Sequence, residues 1–162
     1  GTSSSVSILS KQLQVRHLHQ AVVNGNLDVF RWMLTPASSE NSKLDALGLD
    51  IHMMINPEDN TLLQEAAHYG HLKIIQWILE PDPADALLTG RTKGPCTDVT
   101  FTNSNKYNVL SVALDGENSV EVSLWLIRHG GARPETKTYR LFPRTVWFFM
   151  RPGYHDIYQP RL

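Results

Sequence analysis

Residues Thr61–Leu79, TLLQEAAHYGHLKIIQWIL, decide how the chain folds. Leu63, Ala66 and Ala67 stand at i, i+3 and i+4, which puts them on one face of a first helix. Thr61 is placed to cap that helix, its hydroxyl accepting from an otherwise unpaired amide of the first turn. Gly70 ends it, because the left-handed backbone needed there costs glycine nothing. Leu72, Ile75, Ile78 and Leu79, with Trp77 off the main stripe, predict a second helix that is apolar around most of its girth. Such a helix has to be covered on both sides.

The same pattern lies on the chain twice more, as LHQAVVNGNLDVFRWML (Leu18–Leu34) and LSVALDGENSVEVSLWLI (Leu110–Ile127). Each copy has an Ala (Ala21, Ala66, Ala113), a turn, and then a Trp (Trp32, Trp77, Trp125). The Ala-to-Trp spacing is 11, 11 and 12 residues. Self-similarity of this kind marks one helical hairpin repeated. A single hairpin cannot bury its own apolar surface, so the copies are expected to stack as a solenoid.

The residues of the second copy resemble an ankyrin repeat, with its T-P-L-H-x-A-A start, Gly-His turn and leucine-rich second helix. Copy one carries the likeness in LHQA (Leu18–Ala21) and Gly25-Asn26-Leu27. In copy three Asn108 replaces the Thr, Ser111 replaces the His, and Glu117-Asn118-Ser119 lengthens the turn by one residue. HGGARP (His129–Pro134) is similar to the segment that closes a family repeat. The resemblance implies an all-α ankyrin-repeat solenoid over residues 11–134, with units at about 11–55, 56–102 and 103–134. Residues 1–10 are then a flexible start or irregular cap, and 135–162 a basic-aromatic cap or tail. Gly1-Thr2, with no initial Met, suggests a piece cut from a longer chain.

Composition narrows the function. A chain of 162 residues is enough for one domain with a real core. Its net charge of -1 argues against a general nucleic-acid binder. The single cysteine, Cys96, rules out an internal disulfide framework and suits a reducing, cytoplasmic setting. No apolar run approaches the roughly 20 residues that span a bilayer.

Two long connections separate the copies. TPASSENSK (Thr35–Lys43) has loop composition, LDALGLDIHMMI (Leu44–Ile55) is apolar enough to pack back as an extra helical turn, and NPEDN (Asn56–Asn60) reads as a turn-forming tip. PDPAD (Pro81–Asp85) and TGRTKGPC (Thr89–Cys96) punctuate the second connection, and FTNSNKY (Phe101–Tyr107) is the next tip, with Asn103 in the aspartate position. Insertions of this kind gather on one side of an array and often serve binding, although lengthening a surface loop also costs little entropy.

After Pro134 the pattern stops. The tail holds Tyr139, Phe142, Trp147, Phe148, Phe149, Tyr154 and Tyr158, half of the aromatic residues in the chain. It also carries Lys137, Arg140, Arg144, Arg151 and Arg161 against Glu135 and Asp156. TVWFFM has strand propensity, bracketed by Pro143 and Pro152. The segment suits an end cap, or a contact surface for an acidic or phosphorylated partner.

Catalytic patterns are missing. There is no G-x-S-x-G elbow, P-loop or H-E-x-x-H. His68 and His71 have metal-ligand spacing, but Gly70 breaks the helix between them, and no third ligand lies at a recognisable spacing. The resemblance gives His71 and His19 structural roles instead. Cys96 reads as a lone thiol, and Glu58, Asp59, Asp82 and Asp85 as solvated loop charges. The three tryptophans are expected to pack between units, where an aromatic removes about 150–250 Å² from water.

Function is therefore sought on the exposed surface. Carried over from the family, contacts to a protein partner fall on Pro57, Glu58 and Asn60 at the second tip, with His68 and Tyr69 on its helix. In copy three they fall on Ser104, Asn105, Tyr107 and Asp115, and in copy one on Val23 and Asn24. Tyr69 and Tyr107 are the expected anchors, since tyrosine is enriched at interface hot spots. The resemblance implies a non-catalytic scaffold or adaptor module, monomeric alone, with no cofactor or metal. Alternatives are a targeting or substrate-selecting module of a larger enzyme or secreted effector, and anionic-lipid or phospho-ligand binding by the tail.

Overall fold

The computed structural model describes residues 2–34, 59–80 and 98–151, and within them the chain is helical with no strand. Eight helices follow one another: α1 Thr2–Val23, α2 Leu27–Leu34, α3 Leu62–His68, α4 Leu72–Leu79, α5 Val109–Leu114, α6 Ser119–Arg128, α7 Thr136–Leu141 and α8 Pro143–Phe149. They pair as hairpins, α1 with α2, α3 with α4, α5 with α6 and α7 with α8. The first helices form a row in which α1 packs on α3, α3 on α5 and α5 on α7. One core runs through the stack, from Leu18, Val22 and Phe30 through Leu62, Ile74 and Ile75 to Leu110, Val122 and Leu126.

Capping sets where the first helices begin. Thr61 and Gln64 form a capping box: the Gln64 amide donates to Thr61 Oγ1 at 3.2 Å, and the Thr61 amide donates to Gln64 Oε1 at 3.1 Å. Asn108 caps α5 by accepting from the Ser111 amide at 2.9 Å. Glu135 and Thr138 build a second capping box at the start of α7. The three caps are in register, so the segment after Pro134 is a fourth, reduced unit. Its helical form overrides the strand propensity of TVWFFM. Pro143 opens α8 at the first helical position, where its missing amide leaves no bond unmade.

The N-terminus also differs from its reading. The Ser-rich start is part of α1, which continues without a break from Thr2 into the first unit. The connections Thr35–Lys43, Leu44–Ile55, Pro81–Asp85 and Thr89–Cys96, with Asn56, Asp82 and Asp85, lie outside the described residues. So do His52, Tyr154, His155, Asp156, Tyr158 and Arg161.

The inter-helix turns stack as closely as the helices. In the first two turns equivalent amides repeat the same bonds: Asn26 to the Ala21 carbonyl and His71 to the Ala66 carbonyl, both at 2.9 Å. His71 Nε2 lies 2.8 Å from the Val23 carbonyl oxygen, which can only accept, so this nitrogen carries the proton. The Glu117 amide donates to the His68 carbonyl at 2.8 Å and joins the second turn to the third. Gly116 is required at that crossing, since a Cβ there would stand 2.2 Å from the His68 carbonyl oxygen. Gly70 is required for its backbone as well, at φ +75°.

The tryptophans do not share one environment. Trp77 is buried at 7% exposure and meets Phe30 edge-to-face, with centroids 5.4 Å apart. Trp125 is half-buried against the His129 ring. Trp32 is 72% exposed, which corrects its expected inter-unit packing. Trp77 faces the unit before it. Trp32 belongs to the first unit, and among the described residues no earlier hairpin stands there to receive it.

Candidate functional site

The surface that the stack presents is built from two tip loops and the helix ends beside them. The loops are cross-tied. Asn103 Oδ1 accepts from the amides of Asn105 and Tyr107, both at 3.0 Å, closing the third tip on itself. Asn103 Nδ2 donates to Asn60 Oδ1 at 2.9 Å, which fastens the third tip to the second. Gln64 Nε2 reaches out of α3 to the carbonyls of Phe101 and Tyr107, at 3.2 and 3.1 Å. One unit onward, Asn108 Nδ2 donates to the Arg133 carbonyl at 3.0 Å. Ser111 Oγ and Thr138 Oγ1 sit 2.6 Å apart in the same interface. The second and third units thus each hold the segment that follows through buried polar side chains. Each such bond is worth about 0.5–1.5 kcal/mol net, and more is lost when a buried partner is left unmade.

Two loop residues adopt left-handed backbone without being glycine, Asp59 at φ 61° and Lys106 at φ 65°. They occupy equivalent places, each immediately before one of the matched pairs Asn60–Thr61 and Tyr107–Asn108. Local strain of this sort persists only where the surroundings over-determine it. Here the surroundings are the Asn103 turn, whose carbonyl accepts from the Lys106 amide at 2.9 Å.

The residues expected from the sequence separate into two groups. His68, Ser104, Asn105 and Asp115 are exposed. Tyr69 is half-buried, its ring edge-to-face with His68 at 4.9 Å. Asn60 and Tyr107 are also half-buried, but they work inside the molecule. Asn60 joins the tips and donates to Glu65 at 3.4 Å, while Tyr107 packs against the core. Tyr107 thus has a supporting role within the molecule. Val23 lends its carbonyl to His71, and Asn24 is exposed beside Gln20. Pro57 and Glu58 lie outside the described residues, as does Cys96.

His71 is held on the Val23 carbonyl and His19 is buried, as the resemblance implied for structural histidines. Among the described residues no group of three His, Cys, Asp or Glu side chains is gathered as a metal site would need. No described helix is long and apolar enough to cross a membrane. Sequence reasoning missed Gln64 and Thr138 as inter-unit ties. Gln64 stands where the family pattern has its histidine, and the sequence reading assigned it no role. Thr138 stands three residues after Glu135, and that spacing was the available signal for a further capped helix.

Comparison with known proteins adds two findings. The family model described as ankyrin repeats matches residues 18–138 in three copies. No match to a curated protein was found.

Proposed function

Because the chain belongs to the ankyrin-repeat family, we propose that it is a non-catalytic scaffold or adaptor that grips a protein partner with its tip loops and adjoining helix ends. Ankyrin repeats are generally protein–protein interaction modules. The observation that carries the proposal is the tie from buried Gln64 to the Phe101 and Tyr107 carbonyls, with Asn103 bonded to Asn60. A loop ordered before binding loses less entropy when a partner arrives. His68, Ser104, Asn105 and Asp115 are the exposed side chains on that framework; Pro57 and Glu58 are included in the proposal from the family resemblance alone. A cytoplasmic setting and a monomeric state belong to the same proposal.

The test is affinity capture on the immobilised full chain, compared with a variant carrying His68→Ala, Ser104→Ala, Asn105→Ala and Asp115→Ala. All four side chains are exposed, so the variant is expected to keep its melting temperature within a few degrees. A discrete protein retained by the parent chain and lost by the variant supports the proposal. Equal retention by both would move the contact surface elsewhere.

A further inference from the structure

We infer that the groove between the third tip and α7 seats an acidic segment of the protein partner, with its carboxylates against Lys106, Lys137 and Arg140. This rests on the reading of the chain as a recognition module and adds the chemistry of what is recognised. The groove has a volume of about 740 Å³, with Thr102 and Lys106 on one side and Glu135, Lys137, Tyr139 and Arg140 on the other. That size is within the range of about 300–1,000 Å³ typical of ligand sites.

Its charge runs against that of the chain. The whole protein carries a net charge of -1, yet the groove gathers three cations. Its one carboxylate is that of Glu135, the N-cap of α7, so the lining keeps an excess of two positive charges. Among the described residues no ion pair neutralises Lys106, Lys137 or Arg140. Clustered like charges repel one another, so the arrangement is improved by an anionic occupant.

Two of the cations are also held in place. The Lys137 ammonium lies over the Tyr107 ring, 5.5 Å from its centroid, and that ring packs against the core. Lys106 ends the closed Asn103 turn in a left-handed backbone that glycine would occupy more cheaply.

Shape selects among anions. The cations come from two separate elements, the third tip and α7, which suits several carboxylates along a peptide better than a single phosphate. A membrane or a nucleic acid would need a continuous basic face. The groove offers three cations only, and Glu135 interrupts them.

Fluorescence anisotropy with the full chain tests the inference at about 0.15 M salt, where the screening length is about 8 Å. The probes are a labelled glutamate-rich dodecapeptide, a lysine-rich dodecapeptide, a single-stranded DNA dodecamer and phosphatidylserine vesicles. The groove variant is Lys106→Gly, Lys137→Gln and Arg140→Gln, in which the first change also relieves backbone strain. The control variant is Arg144→Gln with Arg151→Gln, on and beside α8. The expected result is that only the acidic peptide binds, that the groove variant weakens it about tenfold or more, and that the control changes it by less than about twofold. Absent peptide binding, equal binding to the groove variant, or DNA or vesicles binding through the same three cations would each overturn it. If a protein captured by the chain is retained equally by the groove variant, this inference falls while the recognition function stands. If no protein is captured at all, the recognition function falls independently of the peptide result.

Discussion

Trp77 and Trp32 hold the same place in two copies of one pattern, yet one is 7% exposed and the other 72%. The difference comes from position in the stack. Trp77, in an inner unit, has Phe30 of the preceding unit against its edge. In the first unit that buried aromatic role passes to Phe30, two residues earlier on α2. A repeat protein is stabilised by contacts between neighbours, so equal sequences at inner and end positions need not carry equal energy.

Mutations can break or sharpen that contrast. Trp77→Ala removes a buried aromatic from an interface and is expected to cost about 3–5 kcal/mol, read from urea unfolding. Gly116→Ala sets a Cβ against the His68 carbonyl oxygen, a backbone atom with no easy escape. It should cost about 1–3 kcal/mol and separate the second and third turns, seen as faster amide exchange at Glu117. Gln64→Leu keeps the volume but unties the third tip, for about 1–2 kcal/mol, and should raise exchange at Asn105 and Tyr107. Asp59→Gly works in the other direction. It relieves a left-handed residue and is expected to raise stability by about 0.5–1 kcal/mol. Trp32→Ala should change stability by no more than about 0.5 kcal/mol. A loss from Trp32→Ala as large as that from Trp77→Ala would show that the first unit is packed like an inner one.

The ends of the stack also explain which expectations held. Periodicity and capping residues are local, and they located α3, α4 and the turn at Gly70 from adjacent letters alone. Asn108 was likewise legible as the counterpart of Thr61, since both are short polar side chains able to accept from a helix amide. The tail was misread because TVWFFM has β-favouring residues, a weak preference that packing of α7 on α5 and α8 on α7 overrides. The candidate surface was half legible. His68, Ser104, Asn105 and Asp115 are exposed as expected, while Asn60 is drawn inward by Asn103, 43 residues away, and Tyr107 by the core.

What the letters determined alone was the repeated hairpin: apolar stripes at helical spacing, a cap before each inner first helix, and a glycine where the first two inter-helix turns go left-handed. Those features depend on neighbours along the chain. The tertiary structure decided which tryptophan is covered, that Gln64 spends its amide on another unit's loop, and that a fourth capped pair closes the row. Each of those depends on what lies beside a residue in space, and no local pattern encodes the neighbour that an end position lacks.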